Sequence, residues 1–274
     1  MNPKEKSHHR SDLKTLIMNS KIFFVAALFT LVMINANAQT AQQYYELKTY
    51  TFNTDEQLKT TENFLENAYL PALKEIGIGP VGVFKPVKIS DSLQQLYVLL
   101  PFDSLEEFTS LQDKLSGLSS FRESGKNYLN AKADNAPYAR ISSTLLKAFE
   151  DMPVMQPSQV TGPRENRIYE LRSYQSPTED YFARKVKMFN AGGEIKLFDA
   201  LGFNAVFYSE AIIGPEMPNL VYMVTFENEA ERDAHWQAFG SSPVWKKLSA
   251  EAEYQDTVNH ITSTYLYPTS YSAY

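Results

Sequence analysis

The chain repeats one short phrase, and this repeat constrains its fold more than any other feature. Residues 43–53 read QYYELKTYTFN, and residues 167–177 read RIYELRSYQSP. The segment LYVLLPF, residues 96–102, returns as LVYMVTF, residues 220–226, at the same spacing of 124 residues. Because several patterned segments recur at equal spacing, we infer that the chain holds two copies of one structural unit.

The two copies differ in length near their ends. The segment ISST, residues 141–144, matches ITST, residues 261–264, at a spacing of 120, so four residues have been lost from the second copy. Between the copies lies a stretch with three prolines and a Thr-Gly-Pro turn signal, which is typical of a linker. We therefore predict a first repeat over residues 39–149, a linker over 150–166 and a second repeat over 167–274.

The residue pattern of each copy predicts the order strand, helix, strand, strand, helix, strand. The opening strand of the second copy alternates, with Tyr169 and Leu171 on one face and Glu170 and Arg172 on the other. Helix starts are indicated by capping residues at Ser104, Ser176, Asn228 and Ser242. This β-α-β-β-α-β order is the ferredoxin-like unit, whose sheet carries helices on one face only. Two such sheets packed face to face predict an α+β barrel with the helices outside.

Residues 1–38 have the pattern of a signal peptide. A basic segment precedes a mainly apolar run of 13 residues, 22–34, and Ala36-Asn37-Ala38 supplies a cleavage pattern. The apolar run is short for a membrane span, although an uncleaved membrane anchor is the alternative. We expect cleavage after Ala38 and a periplasmic or secreted protein. The chain has no Cys, so disulfides and thiolate chemistry are excluded.

Charge and motif content exclude several functions. The whole chain has a net charge of −6, and the leader contributes +3, which leaves −9 after cleavage. Such an acidic protein does not favour nucleic acid or anionic membranes. Only His235 and His260 follow the leader, and neither has metal-ligand spacing, so no metal is predicted. Cofactor-binding motifs such as G-x-G-x-x-G are also missing, and we predict no cofactor.

The second copy resembles the NIPSNAP family of the dimeric α+β barrel superfamily. The resemblance rests on residues 169–174 (YELRSY), 220–226, Glu231-Arg232 and 243–245 (PVW). The first copy is looser, with Lys48, Phe108 and Phe121 at the positions of Arg172, Arg232 and Trp245. The resemblance implies the barrel fold and little chemistry, because the family has no generally established reaction. Its eukaryotic members are linked to mitochondria and vesicle traffic, a role that an exported chain is not expected to share.

The repeated strand phrase offers the first candidate site. Glu170, Arg172 and Tyr174 share one face of their strand, and Glu46, Lys48 and Tyr50 share the equivalent face. If the tyrosine–leucine face packs under the helices, these polar side chains point into the barrel and can bind a polar ligand. The alternative is a structural ion pair that closes the barrel.

Two further candidates involve histidine. The apolar stripe of Phe108 and Leu111 becomes Arg232 and His235 in the second copy, and an imidazole beside a guanidinium could serve as a neutral catalytic base. The alternative leaves both residues at the surface. His260, equivalent to Arg140 at a spacing of 120, could face the barrel lumen and contact a ligand, or be a structural histidine.

These observations predict an exported protein that binds a small, partly apolar ligand inside its barrel. The first alternative is a cofactor-independent monooxygenase or isomerase, as found in related barrel families. The second is a structural assembly unit whose barrel is filled by side chains. Fold analogy does not separate the three, and homo-oligomerisation stays open.

Processing gives the first testable prediction. Mature protein is expected to begin at Gln39, because Ala36 and Ala38 present small side chains at the positions read by signal peptidase. Mass spectrometry of material recovered from the exporting compartment measures this start directly. Recovery of the intact leader there would support the membrane anchor instead.

Overall fold

The strands of the protein close into a barrel with helices on its outer surface. The computed structural model describes residues 41–87 and 94–274, which include an eight-stranded, antiparallel closed barrel. The predicted signal peptide, residues 1–38, and its cleavage site lie outside the described residues.

The first repeat follows the predicted order of elements. Its strands are β1 (Tyr44–Phe52), β2 (Gly82–Pro86), β3 (Gln94–Phe102) and β4 (Arg140–Ala148). Its helices are α1 (Asp55–Phe64), α2 (Leu70–Glu75), α3 (Leu105–Gly117), α4 (Ser119–Ser124) and α5 (Lys126–Leu129), and a π-helical turn (Leu65–Tyr69) joins α1 to α2.

The second repeat has the same order of strands and main helices. Its strands are β5 (Ile168–Gln175), β6 (Asn204–Ile213), β7 (Asn219–Phe226) and β8 (His260–Pro268). Its helices are α6 (Glu179–Phe189), α7 (Glu194–Ala200), α8 (Glu229–Ser241) and α9 (Pro243–Ser249).

The strand order confirms the predicted fold class. Within the first repeat the sheet runs β4-β1-β3-β2, and within the second it runs β8-β5-β7-β6. The two sheets join where β2 pairs with β8 and where β4 pairs with β6. Each repeat is a ferredoxin-like unit, and an internal two-fold relation makes the two seams equivalent.

Helix ends follow local chemistry, with one correction to the sequence prediction. Ser104 and Asn228 cap α3 and α8 as expected, since each side chain accepts from the backbone N–H three residues on. The predicted cap at Ser176 is wrong, because Thr178 caps α6 and the Ser176 hydroxyl donates to the Thr257 carbonyl at 2.7 Å. Gly193, at φ +86°, separates α6 from α7 in a conformation that glycine adopts at no steric cost.

Three apolar layers hold the barrel and its helices together. One lies between the first sheet and its helices, and another lies between the second sheet and its helices. The third fills part of the barrel interior, where Tyr45 packs on Phe207 and Tyr169 packs on Phe84 at ring distances of 5.3 and 5.1 Å. Each pair joins one ring from each repeat, and the internal two-fold relation makes the two pairs equivalent.

Residues 150–166, predicted as a linker, pack against the barrel. Met155 is buried with the interior residues, and the Gln156 N–H donates to the Val206 carbonyl at 2.8 Å. The Arg164 guanidinium donates to the carbonyls of Thr269 and Ser272. Among the described residues, no helix is both long and apolar enough to cross a membrane.

Candidate functional site

The repeated strand phrase faces the opposite way from the sequence prediction. Tyr45 and Leu47 in β1, like Tyr169 and Leu171 in β5, belong to the barrel interior. Glu46, Lys48, Tyr50, Glu170, Arg172 and Tyr174 therefore lie on the outer face, beneath the helices. The predicted orientation of these side chains toward the lumen is wrong, because the tyrosine and leucine side chains take the inner face of both strands.

Glu170 is the centre of a dense polar cluster in the second repeat. Its side chain is fully buried, and Arg232 donates to both of its oxygens at 2.8 and 3.0 Å. Arg172 donates at 2.5 Å, and the Trp236 indole and Ser263 hydroxyl donate at 2.8 and 2.7 Å. With five donors on one carboxylate, the Glu170 cluster has little acceptor capacity left for a ligand.

The donors around Glu170 control its ionisation. Burial by itself raises the pKa of Glu170, since water no longer solvates the charge. Hydrogen bonds from Arg232, Ser263 and Trp236, together with the charge of Arg172, outweigh burial and lower the pKa below its ordinary value. Glu170 is therefore a carboxylate near neutral pH. It ties β5 to helix α8, whereas the structural alternative expected an ion pair that closes the barrel.

The equivalent cluster in the first repeat is sparser. Glu46 accepts from the Ser143 hydroxyl at 2.6 Å and pairs with Lys48 at 3.4 Å. Phe108 stands at the position of Arg232 and packs on Phe102 at a ring distance of 5.4 Å. The first repeat thus replaces an ionic contact with an aromatic one.

Arg232 and His235 do not form a joint site. Arg232 is directed to Glu170, whereas the His235 Nδ1 lies 2.7 Å from the Glu231 carbonyl one helical turn away. The His235 ring packs against Phe203 and Phe226 at ring distances of 5.7 and 5.5 Å. These separate environments do not support the proposed base beside a guanidinium.

The barrel interior is open at one end and packed at the other. At the open end lies a cavity of about 460 Å³, which we call the lumen cup. The packed end contains the aromatic pairs of Tyr45 with Phe207 and Tyr169 with Phe84, and Tyr274 packs against Phe84 at 5.9 Å. Side chains therefore fill one end of the lumen, and the other end is an open cavity.

Both repeats contribute matching side chains to the lumen cup. Leu47 and Leu171 are equivalent in the two repeats at a spacing of 124 residues, and Tyr97 has the smaller Val221 as its equivalent. Small hydroxyl side chains surround these apolar residues, namely Thr49, Thr51, Ser142, Thr144, Ser173, Thr262 and Thr264. The cup thus combines a ring of hydroxyl groups with apolar walls.

Asn219 carries an unused acceptor at the wall of the cup. Its side chain is buried, and Nδ2 donates to the Ser173 hydroxyl at 3.2 Å. Its Oδ1 is buried without a hydrogen-bond partner among the described residues. A buried acceptor in that state costs free energy.

His260 lies at the rim, beyond the residues that line the cup. It shares one face of β8 with Thr262 and Thr264, is exposed, and has Nε2 within 3.4 Å of the Thr262 hydroxyl. Arg140 is exposed at the equivalent position of β4. Within residues 41–87 and 94–274, no group of three or more His, Asp or Glu side chains is placed to hold a metal ion.

Sequence reasoning missed the hydroxyl residues of the cup. A signal was present, because Ser142 and Thr144 alternate along β4, and Thr262 and Thr264 repeat the pattern in β8. Small hydroxyl side chains at alternate positions of a strand share one face, which indicates contact of that face with water or ligand.

Comparison with solved structures places the fold in a class of two-repeat α+β barrels. A Fusobacterium nucleatum protein named as a "putative monooxygenase" superposes with a TM-score of 0.54 at 9% identity, over 83% of this chain and 93% of that one. A Lactobacillus acidophilus protein with the same description has a TM-score of 0.50 at 11% identity, over 83% and 94%. At these identities the likeness shows the fold alone.

The family match falls on the second repeat. Residues 169–273 match the NIPSNAP family model, which confirms the predicted resemblance of the second repeat. An uncharacterised NIPSNAP-like domain protein from Burkholderia xenovorans is 19% identical, over 40% of this chain and 90% of that chain, with a TM-score of 0.36. A comparison with curated proteins gives no match.

Replacing Glu170 with Gln tests its structural role. The variant is expected to lose about 3–5 kcal/mol of unfolding free energy, because two arginines lose their counter-charge. Glu46→Gln is the matched control in the first repeat, with an expected loss of about 1 kcal/mol. Denaturant unfolding at neutral pH measures both, and equal losses would contradict the asymmetry of the two clusters.

The same variant tests the ionisation of Glu170. Because folding lowers the pKa of Glu170 below its ordinary value of 4.5, its contribution to stability is present above that pH. The contribution disappears as pH falls through the lowered pKa. The stability difference between wild type and Glu170→Gln should therefore be largest near neutral pH and shrink below pH 4.5. A constant difference across this range would rule out a charged Glu170.

Proposed function

We propose that this protein is exported and binds a small, neutral, partly apolar ligand in the lumen cup. The observation that carries the proposal is the half-open barrel interior, with the buried and unpartnered Oδ1 of Asn219 at its wall. Support for export comes from the sequence of residues 1–38.

The size of the cup suits a small molecule. Its volume of about 460 Å³ lies within the range of about 300–1,000 Å³ that is usual for small-molecule sites. The packed aromatic side chains below it limit the depth that a ligand can reach. A compact ligand is therefore favoured over a long acyl chain.

The lining of the cup favours a neutral ligand with polar and apolar parts. Glu216, at the mouth, is the one charged residue among the described side chains that line the cup, and Gln175 donates to it at 3.0 Å. Leu47, Leu171 and Val221 supply apolar walls. Burying an unpaired ligand charge beside them would be costly, whereas hydroxyl and amide groups find partners.

The ligand is expected to donate at least one hydrogen bond. Asn219 Oδ1 is an acceptor, and the surrounding hydroxyls can act as donors or acceptors. Since Asn219 is buried beside Ser173, its amide is held in place before a ligand arrives. Such preorganisation lowers the entropic cost of binding.

A fluorescent probe with matching chemistry tests the proposal. N-phenyl-1-naphthylamine is neutral, aromatic and carries one N–H donor, and its fluorescence is expected to rise on binding to the mature protein. Ser142→Phe places a bulky ring in the cup and should weaken binding at least tenfold. Asn219→Leu removes the acceptor and should weaken binding about tenfold, a loss of about 1.4 kcal/mol.

The neighbouring residue supplies a matched control. Ile141→Phe introduces the same ring on the other face of β4, where Ile141 is 37% exposed, and should leave probe affinity unchanged. Native mass spectrometry of protein purified from the exporting host would also show a retained ligand. Equal affinity for wild type and Ser142→Phe would overturn the assignment of the lumen cup.

A further inference from the structure

A buried ion pair lies in the second repeat, outside the lumen cup. Lys185 in α6 is 4% exposed and Glu194 at the start of α7 is 1% exposed. The Lys185 Nζ donates to Glu194 Oε2 at 2.8 Å and lies 3.4 Å from the Met188 sulfur. A buried pair of this kind costs free energy to desolvate and is weak evidence for a role in stability.

This ion pair forms part of the wall of a second cavity. The cavity has a volume of about 350 Å³ and lies between the outer face of the second sheet and its helices; we call it the second-repeat pocket. Trp245, Phe239 and Tyr174 contribute aromatic surface, and the Phe239 and Trp245 rings are 4.4 Å apart. Tyr174, predicted to bind ligand in the lumen, lines this pocket instead.

Aromatic side chains fill the corresponding space in the first repeat. There Tyr128 stacks on Phe64 at 3.8 Å, and Tyr138 packs on Tyr50 at 5.9 Å. Thr61 stands at the position of Lys185 and donates to the Pro137 carbonyl.

The second repeat has lost these filling rings. Val258 replaces Tyr138 at a spacing of 120, and four residues are deleted between Trp245 and Ile261, the stretch that corresponds to Tyr128. One chain thus contains a filled and an unfilled version of the same core. The unfilled version is the one that carries the buried charges.

The ion pair offers a donor and an acceptor side by side. Lys185 has three N–H groups, of which one is directed to Glu194. A carboxylate can accept about four hydrogen bonds, and Lys185 supplies one to Glu194. A ligand hydroxyl can therefore accept from Lys185 and donate to Glu194 at the same time.

Charge at the pocket argues against an anionic ligand. Asp256 lines the pocket, and Glu194 already offsets the positive charge of Lys185. Burial raises the pKa of Glu194 more than the charge and hydrogen bond of Lys185 lower it, so its surroundings disfavour additional negative charge. A neutral aromatic group suits the surface of Trp245 and Phe239.

We propose that the second-repeat pocket is a binding site for small phenols. The phenol oxygen accepts from Lys185, its O–H donates to Glu194, and the ring packs against Trp245 and Phe239. This site is separate from the lumen cup and does not depend on the function proposed for the cup.

Isothermal titration calorimetry with three probes of similar shape tests the site. p-Cresol is expected to bind wild type at least tenfold more tightly than p-toluate, which is charged, or toluene, which lacks the hydroxyl. Val258→Tyr restores the filling ring of the first repeat and should abolish binding of p-cresol. Val244→Tyr is the matched control, because Val244 is 57% exposed and does not line the pocket.

A double variant tests the role of the ion pair. Lys185→Met with Glu194→Leu removes both charges together, which avoids an unpaired buried ion. It should weaken p-cresol binding at least tenfold without weakening toluene binding. If this variant does not fold, the comparison of Val258→Tyr with Val244→Tyr decides the question.

The lumen variant separates this proposal from the function of the cup. Ser142→Phe should leave p-cresol affinity unchanged, whatever it does to N-phenyl-1-naphthylamine. The proposal fails if p-cresol does not bind wild type, if Val258→Tyr binds it normally, or if Ser142→Phe alone removes binding. It also fails if the double variant binds p-cresol as wild type does, since the ion pair would then be structural only.

Discussion

The architecture depends on two hydrogen-bonded seams between the repeats. Each ferredoxin-like sheet has two edges whose backbone groups need partners, and the pairs β2–β8 and β4–β6 satisfy all four edges at once. Closure also shields the apolar inner face of each sheet with that of the other. Neither repeat can bury this inner face alone, so the covalent link between them keeps each repeat beside its required partner.

Within this symmetric frame, the two repeats have diverged beneath their helices. The second repeat holds Glu170 with two arginines and buries Lys185 with Glu194. In the first repeat, Phe108 stands in place of Arg232 and Thr61 stands in place of Lys185. Both arrangements fit the same backbone because the strands and seams set its geometry. The helix-covered core could therefore change in one repeat without changing the barrel.

Repeat spacing and strand periodicity were sufficient to predict the barrel, but not the direction of its side chains. In β1 and β5 both faces carry a tyrosine, Tyr45 and Tyr50 in β1, Tyr169 and Tyr174 in β5. The alternation therefore shows that each segment is a strand, but it leaves open which face points into the barrel. The choice of the inward face depends on partners that are distant in the sequence, since Arg232 and Ser263 contact Glu170 from 62 and 93 residues away. The cup was missed for the same reason, since its hydroxyl residues come from strands that meet only in the closed barrel.

Joining the two repeats in one chain has a consequence for recognition in the lumen. Two identical subunits around a two-fold axis would present a bound molecule with two equivalent orientations. Here Tyr97 faces Val221, and Gln95 has Asn219 as its counterpart, so the two sides of the cup differ in size and hydrogen bonding. An asymmetric molecule can therefore be held in a single orientation, a discrimination that a strictly symmetric barrel cannot provide.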